Sequence, residues 1–118
     1  MIYIYIGFAG ALGAIARYAL GILIVDESFF PISTLLCNLA GCYALAYITS
    51  STLPISGKLK NAIGTGFIGS FTTFSAFSVE TITLIDSDQI GFAILYIIVS
   101  VIGGIIVSNI GWKNEVGK

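Results

Sequence analysis

Apolar residues fill four long stretches of the chain, at residues 2–25, 32–53, 59–85 and 90–112, separated by short polar segments. Each stretch is long enough to cross a bilayer, which takes about 20 apolar residues in a helix. The first has no basic leader and no convincing cleavage site, so it is expected to be a retained helix. The pattern predicts one all-α integral membrane domain over residues 1–118 with four transmembrane helices. No internal repeat is evident.

The third stretch is interrupted by polar and glycine residues at membrane depth. Glycines weaken a helix, and hydroxyl side chains compete for its backbone groups. These residues are Gly64, Gly66, Gly69, Ser70, Thr72, Thr73, Ser75 and Ser78. A backbone group freed in hydrocarbon costs several kcal/mol unless it faces protein, an ion or water. The segment predicts either an ion site in a discontinuous helix or a glycine-rich helix that packs closely on its neighbours.

Composition narrows the class of protein further. Of 118 residues, 57% are hydrophobic and 9% charged, with a net charge of −1, which fits a small membrane protein and offers no basic patch for nucleic acid. There is no histidine, and the two cysteines make no metal-site constellation. Cys37 and Cys42 lie about 140° apart around one helix, so two apolar thiols are expected rather than a bridge.

Three side chains inside the stretches carry charge or an amide. Arg17 either snorkels to the interface or lines an anion vestibule. Asn38 either joins two helices through hydrogen bonds or donates its NH₂ to a passing anion. Glu80 either caps or pairs nearby groups or carries protons in a pump.

Aromatic and hydroxyl side chains surround the interrupted segment. Phe74 and Phe77 share a helix face, where such a pair usually packs, but the positive edges of the rings can also attract an anion weakly. Weak and multiple contacts are what conduction needs. Tyr96 and Ser100 give the fourth stretch a face with two hydroxyl groups.

Three motifs occur in order: residues 10–18 (GALGAIARY), 34–41 (TLLCNLAG) and 66–80 (GFIGSFTTFSAFSVE). With them, essentially the whole chain resembles the small bacterial fluoride channels of the Fluc or CrcB family. The resemblance implies a dual-topology dimer of antiparallel subunits with two fluoride pathways along the interface. It departs from the family pattern at Ala76, where a hydroxyl residue is common, and at Cys37, where a β-branched residue is usual.

The resemblance also implies residue roles. Phe74 and Phe77 match the phenylalanine box, Asn38 the asparagine that approaches fluoride, and Arg17 the vestibule arginine. Gly69 and Thr72 match positions whose backbone carbonyls hold a structural sodium ion. The remaining candidates are hydroxyl groups beside the rings and polar groups without an assigned role, namely Thr34, Tyr96, Ser100, Thr73, Ser75 and Glu80.

The function expected from this resemblance is passive, fluoride-selective export across the bacterial cell membrane, not enzymatic catalysis. A proton-coupled exporter of the small four-helix type is the alternative. Such exporters require an acidic residue in the first helix for proton coupling, and this chain has Arg17 in that helix instead. A non-conducting assembly is disfavoured because polar groups at membrane depth are costly.

Charge indicates the orientation of the chain. Because the chain has four spans, both termini lie on the same side of the membrane. That side carries the basic residues Lys58, Lys60, Lys113 and Lys118. The opposite side carries the acidic residues Asp26, Glu27, Asp86 and Asp88. Positive charges near span ends favour cytoplasmic termini, with Tyr3, Tyr5 and Trp112 in the interfacial belt on that side. This bias disfavours an antiparallel homodimer and favours an oppositely inserted paralogue, of the kind that the family contains. A snorkelling Arg17 would partly offset the lysines.

Overall fold

The computed structural model describes residues 1–25 and 27–117, and all regular structure in these residues is helical. In chain order the elements are α1 (Ile2–Leu23), α2 (Ile32–Ser50), α3 (Gly57–Asn61), a π-helical segment (Ala62–Ile68), α4 (Gly69–Phe71), α5 (Phe74–Asp86) and α6 (Ile90–Val116). Four spans are long and apolar enough to cross a membrane, and the third of them, Gly57–Asp86, bends in its middle. The prediction of an all-α protein with four membrane helices and a broken third helix is confirmed.

The helix ends differ from the predicted ones by a few residues. The second helix ends at Ser50 rather than at residue 53, because Ser51 already has extended backbone ahead of Pro54. The fourth continues beyond residue 112 to Val116, through the polar residues Lys113, Asn114 and Glu115. Asp26 and Lys118, which entered the charge argument, lie outside the described residues.

Most large apolar side chains point outward, as expected where lipid is the solvent. Tyr3 is 83% exposed and Leu23 is 78% exposed, one at each end of α1. The buried apolar cluster is small and consists of Leu35, Leu84, Ala93 and Tyr96. Lipid tails are as apolar as the helices, so close packing and hydrogen bonds, rather than burial from water, hold the spans together.

Glycines let α1 approach the first half of the third span closely. A Cβ added at Gly13 would lie 3.1 Å from the Cα of Phe67 and would overlap its carbonyl oxygen. A Cβ added at Gly66 would lie 2.6 Å from the carbonyl oxygen of Ile6. The two backbones therefore touch, which is how small residues strengthen helix contacts in a membrane.

The helices α2 and α6 form the other extensive contact. A Cβ at Gly111 would lie 2.6 Å from the Tyr43 carbonyl oxygen, so α6 also uses a glycine to reach a neighbouring backbone. At the polar end, the carboxylate of Glu115 accepts a hydrogen bond from the Thr52 backbone N–H at 3.4 Å. This bond fixes the end of α2 against α6.

The π-helical segment is a feature that the sequence analysis missed. It covers Ala62–Ile68, and the Gly69 N–H bonds to the Gly64 carbonyl five residues earlier. A π turn is wider than an α turn, and short π segments are frequent at functional sites. The glycines of this segment were expected to weaken the helix, and they widen it instead of ending it.

We predict that Gly13→Ala destabilises the protein by about 1–3 kcal/mol, the usual cost of overpacking. The new methyl group has no space beside the Phe67 carbonyl. Gly7→Ala is the matched control, because a Cβ at Gly7 on the same helix meets nothing within 4 Å. Thermal unfolding in detergent measures both variants. Equal unfolding temperatures for the two variants would contradict the packing seen along α1.

Candidate ion site at the helix break

The third span breaks at two threonines. Thr72 has φ −80° and ψ 155°, and Thr73 has φ −151° and ψ 125°, so both are extended between two helices. The Thr73 hydroxyl accepts a hydrogen bond from the Ala76 N–H at 3.2 Å and so caps the start of α5. On the other side, the Thr72 N–H donates to the Ile68 carbonyl at 2.9 Å and ends the first half. The break is thus a defined structure with a cap on each side.

Asn38 of α2 pairs with the backbone of the break through two hydrogen bonds. Its Oδ1 accepts from the Thr73 N–H at 2.8 Å, and its Nδ2 donates to the Thr73 carbonyl at 3.0 Å. A side-chain amide has two N–H donors, so one remains for another acceptor. The joining role proposed for Asn38 is therefore present, and the amide still has one donor for an anion.

Arg17 reaches the break from α1. Its Nε donates to the Ser70 carbonyl at 3.2 Å, at the end of the first half of the span. A guanidinium is favourable beside the carbonyl end of a helix, where the dipole is negative. Arg17 therefore contacts the break instead of only extending to the interface.

The backbone carbonyls of Gly69 and Thr72 take no part in these hydrogen bonds. Within the described residues, no capping or interhelical hydrogen bond ends on the carbonyl oxygen of Gly69 or Thr72. Backbone carbonyls are hard oxygen donors of the kind that bind small hard cations. The two positions that resemble sodium ligands thus have the donor atoms such an ion requires.

A central cavity of about 360 Å³ adjoins the break. Its polar lining comes from Asn38, Thr72, Thr73 and Ser100, and its apolar lining includes the rings of Phe74 and Phe77. The Ser100 hydroxyl oxygen is buried and has no hydrogen-bond partner among the described residues. The cavity therefore combines an amide, hydroxyl groups and ring edges without a fixed charge.

The two phenylalanines differ in their surroundings. Their ring centroids lie 5.7 Å apart, and the Phe77 ring also lies 5.0 Å from the ring of Tyr96. Phe77 is half-buried, whereas Phe74 is 79% exposed at the mouth of the cavity. One chain therefore encloses one ring and presents the other on its surface.

Glu80 uses both carboxylate oxygens within the protein. Thr34 donates to one oxygen and Tyr96 to the other, each at 2.7 Å. Tyr96 is fully buried, which fixes this network between α2, α5 and α6. The predicted hydroxyl groups thus divide, since Thr34 and Tyr96 bind Glu80 whereas Ser100 lines the central cavity.

A second cavity, of about 420 Å³, lies between α1, α2 and α5, with Arg17, Thr34, Ala76 and Glu80 among its lining residues. Ala76 therefore leaves this lining without the hydroxyl group that is common in the family. The Thr73 and Ser75 hydroxyl groups lie 3.2 Å apart at the break, and Ser75 is exposed.

The two cysteines occupy different surroundings. Both are free thiols: Cys37 is buried at 1% exposure, and Cys42 is partly exposed and lines the central cavity. Cys42 was expected to be a plain buried thiol, and its place on the Asn38 side of α2 is the signal that identifies it as a lining residue. Cys37 lines neither cavity, so that departure from the family pattern is confined to packing.

The fold and this site define a four-helix membrane protein with a broken helix at membrane depth, the architecture of a small transport protein. Residues 4–112 match the family described as "CrcB-like protein, Camphor Resistance (CrcB)". The chain belongs to this family, and the resemblance found in its three motifs is confirmed.

Its relatives carry channel names rather than enzyme names. The chain is 50% identical to a "Fluoride-specific ion channel FluC 1" of Bacillus cereus, over 95% of this chain and 85% of the relative. It is 49% identical to the protein of that name in Bacillus anthracis, with the same coverage. It is 48% identical to the "Fluoride-specific ion channel FluC 2" of Listeria innocua, over 94% of this chain and 88% of the relative.

Proposed function

We propose that this protein is a subunit of a fluoride-selective channel that lets fluoride leave the bacterial cytoplasm passively. The central cavity beside the break carries the proposal, together with the channel name of a relative that is 50% identical. Hydrogen fluoride enters a cell as a neutral acid and ionises in a less acidic cytoplasm. The anion then needs a route out.

The proposed pathway runs past Asn38, Phe77 and Ser100. Fluoride holds its water tightly, so the pathway has to replace hydration with other donors. The remaining Asn38 N–H, the unpartnered Ser100 hydroxyl group and the positive edge of the Phe77 ring supply weak contacts of this kind. Several weak contacts let an ion enter and also leave.

The second subunit in this proposal inserts antiparallel to the first. The surface ring of Phe74 at the cavity mouth supports it, because a partner that covers this face would complete the aromatic lining. The chain has no internal repeat, so a paired architecture requires a second chain. Two pathways then lie along the interface, each with rings from both subunits.

A structural sodium ion is the third part of the proposal. The Gly69 and Thr72 carbonyls of the two subunits would hold it. When bound, the ion supplies a fixed positive charge that offsets the cost of an anion in a low-dielectric region. Arg17 and Asn38 already occupy the Ser70 and Thr73 carbonyls, which supports the assignment of the other two to the cation.

The proton-coupled alternative places the exchange at Glu80. Against it, the Thr34 and Tyr96 hydroxyl groups each donate to one of the two Glu80 carboxylate oxygens, so both oxygens already have a partner within the protein. A proton carrier has to give up such bonds in every cycle. The passive channel therefore fits the Glu80 network better.

The first test of function is fluoride efflux from liposomes that contain the purified protein, measured for the chain alone and for the chain together with an oppositely inserted paralogue. A passive channel gives a fluoride current that reverses at the fluoride equilibrium potential and carries little chloride. Phe77→Ala and Phe74→Ala should each reduce the current sharply, because each removes a ring edge from the pathway. Val79→Ala is a matched control, since Val79 is a 64% exposed residue of the same helix that lines neither cavity.

A reversal potential that follows the proton gradient would establish an exchanger instead. Full current through both phenylalanine variants, with assembly verified by size-exclusion chromatography, would remove the aromatic box from the mechanism.

The sodium proposal predicts that sodium stabilises the folded protein. A ligand at 100 times its dissociation constant adds about 2.7 kcal/mol. Replacing sodium by N-methyl-D-glucamine should therefore lower both the unfolding temperature and the fluoride current after prolonged dialysis. An electron-density map with only water between the two breaks, in sodium buffer, would refute the site.

The orientation proposal is that both termini are cytoplasmic and that an oppositely inserted paralogue completes the channel. Among the described residues, the side with the termini has Lys58, Lys60 and Lys113, and the opposite loops have Glu27, Asp86 and Asp88. Positive charges near the spans set orientation. A chain with this bias inserts mainly one way and therefore lacks an antiparallel copy of itself.

Two cysteine variants measure this orientation, Val116→Cys at the end of α6 and Ser87→Cys in the loop before it, both at exposed positions. In intact cells an impermeant thiol reagent should label Ser87→Cys and spare Val116→Cys. The chain expressed alone should conduct poorly, and co-expression with the paralogue should restore the current. Labelling of both variants, with full current from the single chain, would show a homodimer of dual topology.

A further inference from the structure

A separate cavity lies between the start of α1 and α3, at the end of the molecule that carries the lysines. Its volume is about 350 Å³. The residues that line it are Met1, Tyr5, Ser56, Lys58, Leu59 and Ala62. We call it the Lys58 cavity. It shares no lining residue with the central cavity or with the cavity beside Arg17, so it is separate from the proposed fluoride pathway.

The Lys58 cavity has three polar groups that are free to donate hydrogen bonds. Within residues 1–25 and 27–117, neither the Lys58 ammonium nor the Tyr5 hydroxyl group has a hydrogen-bond or ion-pair partner. The Ser56 hydroxyl oxygen accepts from the Leu59 N–H at 3.2 Å, which leaves its own proton to donate. An ammonium and two hydroxyl groups are donors that suit the oxygens of a phosphate.

The apolar surroundings of these donors indicate where the phosphate comes from. Tyr5 is 59% exposed and Leu59 is 48% exposed, so apolar surface adjoins the charged group. Tyrosine lies at the level of the lipid headgroups in membrane proteins. Basic pockets between transmembrane helices bind anionic headgroups. A phospholipid, with a phosphate next to acyl chains, matches both parts of this surface, whereas a free phosphate matches only the donors.

We propose that the Lys58 cavity binds the headgroup phosphate of an anionic phospholipid from the surrounding bilayer. The inference rests on the membrane-crossing fold and is independent of fluoride conduction. The phosphate would accept from Tyr5 on α1 and from Ser56 and Lys58 at the start of the third span. It would thereby extend to the membrane surface the contact that Gly66 makes with the Ile6 backbone.

Two substitutions each remove one donor from the cavity. Lys58→Gln removes the ammonium, and Tyr5→Phe removes only a hydroxyl group. Lys113→Gln is the matched control for charge, because Lys113 is exposed on the same side of the membrane and does not line the Lys58 cavity. Tyr3→Phe is the control for the hydroxyl group, because Tyr3 is exposed on the same helix and lies outside the cavity. Lys58→Arg retains the charge.

The measurement is thermal unfolding of the purified protein in detergent, titrated with phosphatidylglycerol, with bound lipid counted by native mass spectrometry. Phosphatidylglycerol should raise the unfolding temperature in a saturable way. Lys58→Gln and Tyr5→Phe should each raise the half-saturating lipid concentration about fivefold, which corresponds to about 1 kcal/mol for one lysine near anionic lipid or for one hydrogen bond. Lys58→Arg and both control variants should behave like the parent protein.

The other probes identify the source of the phosphate. Phosphatidylcholine and glycerol 3-phosphate should each stabilise the protein far less than phosphatidylglycerol does. Equal stabilisation by phosphatidylcholine would overturn the recognition of a negative charge. Equal stabilisation by glycerol 3-phosphate would assign the cavity to a soluble phosphate and overturn the lipid site.

The variants separate a lipid site from a general effect of surface charge. An equal loss in Lys113→Gln and Lys58→Gln would overturn the site, because the potential of the whole surface would then explain both. An unchanged half-saturating concentration in Tyr5→Phe would overturn the contact between α1 and the phosphate, even if Lys58→Gln is unstable. Fluoride current is measured separately, and its absence would overturn the proposed function instead.

Discussion

The pairing between Asn38 and the Thr73 backbone is the interaction on which the rest of the structure depends. A break at membrane depth frees an N–H and a carbonyl, and each costs several kcal/mol in hydrocarbon if it lacks a partner. Asn38 satisfies both at once, at 2.8 and 3.0 Å. The break can therefore exist only where α2 holds this amide against it, and α2 is itself held by α6.

The same constraint involves α1. The Ser70 carbonyl at the end of the first half is satisfied by Arg17, so a cation inside the bilayer and a broken helix compensate each other. Glycine contacts bring α1 close enough for this bond to form. Side chains of α1 and α2 thus bind backbone groups at the break of the third span, and α6 packs against α2. These contacts explain how a small chain with little buried apolar surface keeps a defined shape.

The sequence was sufficient for the four spans and for the position of the break. Long apolar stretches are a strong signal, and clustered glycine and hydroxyl residues at membrane depth are another. It was not sufficient for the local geometry. Residues from Gly64 to Ser78 were expected to interrupt the helix, yet Gly69–Phe71 is helical and only Thr72 and Thr73 are extended, because side chains from other helices decide which backbone groups are released. The π-helical segment has no distinct signal, since the same glycines also favour close packing.

The candidate ion site could likewise be predicted only in part from the sequence. Asn38, Phe77 and Ser100 could be proposed as lining residues from their positions on helices and from the family motifs, and the structure places all three around one cavity. The Arg17 contact with Ser70 and the division of hydroxyl groups around Glu80 depend on how distant residues meet. No spacing within one helix reveals such contacts. The helix spacing also gives no sign that the Phe74 ring is 79% exposed whereas the Phe77 ring is half-buried.

The distribution of charge between the central cavity and the cavity between α1, α2 and α5 has a physical logic for anion conduction. Arg17 lines the second of these cavities, whereas the central cavity is lined by neutral groups alone. A cationic side chain in direct contact with the anion would hold it strongly, since Coulomb attraction at 4 Å grows from about 1 kcal/mol in water to about 4 kcal/mol at an effective dielectric constant of 20. Arg17 lies outside the central cavity, and its guanidinium is held by the Ser70 carbonyl. The uncharged amide, hydroxyl group and ring then carry it across the region where water is scarce.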